Sequence, residues 1–73
     1  MTKDARIEYG YKLRSMRLAA GITQEALGLA CGFTGLTAQR IVQHWEHGRQ
    51  LPGIDKLRPL ATALQVPINQ VVP

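Results

Sequence analysis

Three glycines divide this chain. Gly21, Gly32 and Gly48 each close a stretch whose apolar residues recur at helical spacing, and glycine is the usual occupant of the left-handed position that stops a helix. Threonines reopen the pattern at Thr23 and Thr37, where a hydroxyl can accept from the first free backbone N–H groups of a new helix. Alternating β-branched runs are missing apart from the tail "INQVVP", so strands have little to build on. The expected fold is all-α, a compact bundle of four to five short helices. One domain is expected over 1–73, with helices at about 2–20, 23–31, 37–47 and 55–65 and a short turn at 68–72.

Each segment carries a stripe. Tyr9, Leu13, Met16, Arg17 and Ala20 share one face of the first helix, and Arg17 is the anomaly among them. Leu27, Ala30 and Cys31 form the stripe of the second. Gly28 inside that helix costs about 1 kcal/mol against alanine, which points to a place where a side chain will not fit. In the third, Ile41, Val42 and Trp45 face inward, while Gln39, Arg40, Gln43, His44 and His47 make the other side polar. The fourth carries Leu57, Leu60, Ala61 and Leu64. Pro59 requires this helix to begin no earlier than about residue 55, with Asp55 as its cap, because a proline deeper inside would strain it. Pro67 opens the last turn.

With 73 residues, only about 60% of the unfolded surface can be buried. A single cysteine excludes an internal disulfide and a cysteine-rich metal site, in keeping with a reducing cytoplasm, and Cys31 reads as a small buried hydrophobe. His44 and His47 beside one cysteine fall short of a zinc-finger pattern. No metal, cofactor or small-molecule ligand is expected. No apolar run suits a signal peptide or a membrane span, so the expected location is cytoplasmic. The carboxylates form no obvious catalytic pair and no glycine loop fits a phosphate, so the chain does not read as an enzyme. Nine Lys and Arg against five Asp and Glu leave +4. That excess suits a polyanionic partner, or plain solubility; charge alone does not choose.

The order of the segments is more informative. A short second helix, a glycine-bearing turn and a third helix polar on one side form a helix-turn-helix arrangement, whose second member is shaped to enter a major groove. "LRSMRLAAGITQEALGLACG", "WEHGRQLP" and "LRPLATALQVPINQVV", in that order over roughly 13–72, resemble the XRE/Cro-type helix-turn-helix domains of lambdoid phage repressors and bacterial regulators. The resemblance implies an ion pair between Arg17 and Glu46. An arginine on an apolar face needs such a partner in any case, because a buried guanidinium is costly unless a carboxylate takes it bidentately.

The resemblance further implies that the second helix, with Thr23 and Gln24, docks on a DNA phosphate, and that Arg49 reaches the sugar-phosphate backbone, with Lys56 and Arg58 adding to it. Gln39 and Gln43 are suited to adenine and Arg40 to guanine. His44 can donate to a base or phosphate, and Thr37 can meet a phosphate or a thymine methyl. Without the resemblance, Gln39 and Gln43 would read as ordinary polar surface.

One departure stands out. Family members commonly place their glutamate about ten residues past the turn glycine, whereas Glu46 follows Gly32 by fourteen. The extra residues lengthen either the turn or the helix. The turn is the favoured place, since Gly35 weakens a helix start and Thr37 caps well.

The implied function is a sequence-specific DNA-binding regulator, a repressor on an inverted repeat, encoded by a phage or another mobile element. It would bind as a homodimer joined through Ile68, Val71 and Val72. Two rivals stay open at this point: an antitoxin or restriction-modification controller with a protein partner as well, and a protein-interaction module that has lost DNA binding.

Overall fold

The computed structural model describes residues 2–73; Met1, the first position of the expected domain, lies outside them. Four α-helices follow in order: α1 (Lys3–Ala20), α2 (Gln24–Ala30), α3 (Gly35–Glu46) and α4 (Leu57–Leu64). Short 3₁₀ turns at Ile54–Lys56 and Ile68–Gln70 flank α4. No strand occurs among the described residues.

The helix ends follow the punctuation of the sequence. Thr2 caps α1, its hydroxyl accepting from Ala5 N at 3.1 Å, and Thr23 caps α2 through Ala26 N at 3.0 Å. Gly21 sits at φ 72°, a left-handed position that costs it nothing, and its N–H reaches back to the carbonyls of Arg17 and Leu18. Pro59 lies in the first turn of α4, where its missing N–H has no intrahelical partner to lose. Asp55 is not the cap of that helix. It belongs to the preceding 3₁₀ turn, which supplies the start instead, with Lys56 as the flanking residue.

The third helix departs from expectation. It begins at Gly35 rather than near Ala38, so Thr37 is an exposed residue of the first turn and not a cap. Gly35 and Leu36, expected in the turn, belong to the helix. Tertiary packing gives the reason. Ala38 is fully buried against α2, where a Cβ on Gly28 would stand 2.0 Å from the Ala38 carbonyl oxygen. That close backbone approach stabilises a turn whose local propensity is poor. Gly35, at φ 59°, admits the reversal from the extended Thr34 into the helix.

The core gathers Tyr9 and Leu13 from α1, Leu27 and Cys31 from α2 and its end, and Val42 and Trp45 from α3. Leu57, Leu60, Ala61 and Leu64 of α4 close it. Phe33 meets the Trp45 ring edge-on, centroids 6.0 Å apart. Ala30, expected in the stripe of the second helix, is exposed; Gly28 takes the inward position. The final turn is pinned from below, because Tyr9 donates its hydroxyl to the Val71 carbonyl at 2.6 Å and Val71 is fully buried. Burial pushes the Tyr9 pKa up to about 12.

Candidate nucleic-acid interface

An acid near the C-terminal end of a helix is unfavourable unless something compensates it. Glu46 has that compensation. Arg17, one turn from the end of α1, donates Nε to Glu46 Oε2 at 2.6 Å and Nη2 to Oε1 at 3.1 Å, a bidentate pair. Both side chains are buried, 9% and 1% exposed. Arg17 Nη1 also donates to the Ile22 carbonyl at 3.1 Å, tying the turn after α1 into the same cluster. Here α3 crosses α1 closely, since a Cβ on Gly10 would fall 2.3 Å from the Glu46 carbonyl oxygen.

The cluster extends to the surface through two glutamines. Gln24, the first residue of α2, donates its amide to Glu46 Oε1 at 3.1 Å and accepts from Gln43 Nε2 at 3.4 Å. Both amides expected to contact DNA are therefore oriented within the protein before any ligand arrives. Each NH₂ group keeps a second hydrogen for an outside acceptor.

Around this relay the structure brings together most of the polar side chains singled out in the sequence. Gln39 lines a shallow concavity with Arg17, Thr23, Gln24 and Glu25, so the start of α2 and the middle of α3 share one surface. Arg40 is exposed on α3 and His44 half-buried one turn further. Tyr11, Arg14 and His47 border the other side of the relay, beside Gln24 and Glu46.

Arg49 is exposed beyond Gly48, its backbone N–H held by the His44 carbonyl at 2.9 Å. Lys56 is differently placed. Its ammonium stands 4.8 Å from the Phe33 ring centroid, beside the turn between α2 and α3, and 3.5 Å from Asp55. A lysine engaged this way has less freedom to follow a phosphate than Arg49 or the exposed Arg58.

The arrangement is a helix anchored through one buried face and polar on the other, beside a second helix whose first residues line the same concavity. The helix-turn-helix family model matches residues 13–71, most of the chain and all of these elements. The chain belongs to the XRE/Cro-type helix-turn-helix family. It is a DNA-binding domain, and α2 and α3 are its helix-turn-helix pair. No curated protein and no solved structure gave a match.

Several features of the domain lay outside the sequence reading. Leu36, assigned there to a turn, is 70% exposed on the first turn of α3. Tyr11 and Arg14 were not singled out for function; their only signal was a polar face on the first helix. Val71 is removed from the candidate dimer surface, because it is buried within its own chain. Ile68 and Val72 stay accessible, 44% and 52% exposed. Among the described residues no helix is long and apolar enough to cross a membrane, and no three acidic, histidine or cysteine side chains gather as a metal site. Cys31 is buried, and that burial pushes its thiol pKa up, only partly opposed by Lys56.

Proposed function

We propose that this domain is a sequence-specific transcriptional regulator that represses by occupying an inverted-repeat operator as a homodimer. The observation that carries the reading is the outer face of α3. Its Gln39, Arg40, Gln43 and His44 are the chain's best-suited side chains for base edges, and the same helix is fixed on its inner side by Ala38, Val42, Trp45 and the buried Glu46. Base readout needs such donors on a rigid support, because each bidentate pair discriminates by only about 1–3 kcal/mol and misplacement forfeits it. Thr23, Gln24, Thr37 and Arg49 surround that face as backbone contacts, which set register without reading sequence. Lys56 supplies positive charge from beside the α2–α3 turn.

Ile68 and Val72 are the proposed dimer contacts. A twofold dimer places two recognition helices about 34–36 Å apart, on half-sites one helical turn from centre to centre. Selection of sites from random duplexes tests the proposal directly. The expected winners are palindromes with that spacing. Winners lacking symmetry remove the dimer, and enrichment of nothing removes sequence specificity. Salt dependence tests the phosphate contacts separately: Arg49→Ala should flatten the slope of log affinity against log salt by about 0.9, the value of one phosphate contact. An unchanged slope takes Arg49 off the backbone.

A further inference from the structure

We infer that Leu36 reads the C5 methyl group of a thymine in each half-site, a specificity contact presented by the first turn of α3. The inference rests on the proposed DNA-binding function and goes beyond it by assigning one base and the residue that recognises it.

Four observations converge. The third helix starts at Gly35, which places Leu36 in its first turn and not in the preceding loop. Leu36 is 70% exposed, a large apolar side chain in a helix whose other outward residues are polar. Arg40 follows at i+4, and side chains four apart on a helix stand on the same face. Finally, the turn bearing Leu36 is held in place, since Ala38 is fully buried and its backbone lies against Gly28 of α2. A mobile loop could not place a methyl contact; a docked helical turn can.

The chemistry of the groove selects the partner. In the major groove thymine alone displays an apolar methyl group, and an aliphatic side chain beside a base donor makes its most favourable contact there. Leu36 has no donor or acceptor with which to meet guanine, adenine or cytosine. With Arg40 engaged on guanine, the adjoining position falls under Leu36, so the half-site should carry thymine within a base pair or two of that guanine.

The test uses the best duplex from random selection, with each thymine replaced in turn by deoxyuridine, which lacks only the methyl. Affinities are measured for the wild-type chain and for Leu36→Ala. Because Leu36 is exposed, that variant should keep its fold, which circular dichroism checks. The wild type should lose about fourfold in affinity per half-site at one thymine position, the value of burying one methyl-sized group. Leu36→Ala should bind the thymine duplex correspondingly worse and show no further loss on the deoxyuridine duplex. Equal sensitivity of both proteins to every replacement, or a selected half-site without a sensitive thymine, overturns the assignment and leaves the regulator reading intact. Failure to select any preferred duplex overturns both.

Discussion

Removing Glu46 should do far more damage than truncating any exposed charged residue in this domain. Its carboxylate accepts three side-chain hydrogen bonds, two from Arg17 and one from Gln24. Glu46→Ala leaves the guanidinium of Arg17, a residue only 8% exposed in the wild type, with one remaining partner, the Ile22 carbonyl. A buried charge stripped of its counter-ion costs about 3–5 kcal/mol. A domain of 73 residues has roughly 4–11 kcal/mol of stability, at 0.05–0.15 per residue. The variant should therefore lose about a quarter of its stability at least, and most of it in the marginal case. At about 4–8 °C per kcal/mol for a chain of this size, the melting temperature should drop by about 12 °C or more. Urea titration followed by circular dichroism gives the free energy, with an unchanged m-value showing that the native state stayed compact. A loss below about 1 kcal/mol, the value of exposed pairs, would refute the claim that burial makes this interaction costly to break.

Gly28→Ala should destabilise the fold although alanine is the better helix former, because its Cβ would stand 2.0 Å from the Ala38 carbonyl oxygen. Thermal melts decide it, and a more stable variant would mean that α2 and α3 can separate freely. Tyr9→Phe removes the hydroxyl bond to Val71 and should cost about 1 kcal/mol at neutral pH. Since the folded pKa lies above the ordinary value of 10.0, the hydroxyl's contribution is fully present below pH 10 and fades as pH climbs toward 12. The stability difference between wild type and variant should shrink over that window, and a constant difference would detach the shift from folding.

Much of the fold was legible because short helices with glycine stops leave few alternatives. Thr23, Gly21 and the Leu57–Leu64 stripe could each be argued from local chemistry, as could the need of Arg17 for a carboxylate, while the resemblance pointed to Glu46 as that partner; each is found in the structure. What escaped depended on contacts between distant backbones. The start of α3 was misplaced because Gly35 and Thr37 spoke for a turn, whereas the docking of Ala38 on Gly28 decided for a helix. Leu36 was lost with it. Val71 looked free because nothing near it in sequence announces a hydroxyl donated from Tyr9, sixty-two residues away. Polar relays were half visible: Gln24 and Gln43 carried the right groups, but their mutual bond is a property of the packed helices.

A buried ion pair that stabilises a fold and one that positions a binding surface make different demands, and this pair is placed to do both. Replacing the two together separates the roles. Arg17→Met with Glu46→Leu exchanges the charges for apolar side chains of similar volume, and such exchanges are often neutral or stabilising. The double variant should therefore melt within a few degrees of wild type, far above Glu46→Ala. Its surface should nonetheless be altered, because Gln24 loses the carboxylate that orients it and Gln43 loses a fixed Gln24 to lean on. Affinity for a selected duplex should fall about tenfold, in proportion to one or two hydrogen bonds no longer prepared in advance. Arg17 borders the same concavity but is only 8% exposed, so it offers a phosphate little surface of its own. Full stability with full affinity would show that the relay orients nothing the DNA uses, and would confine the pair to holding α1 against α3.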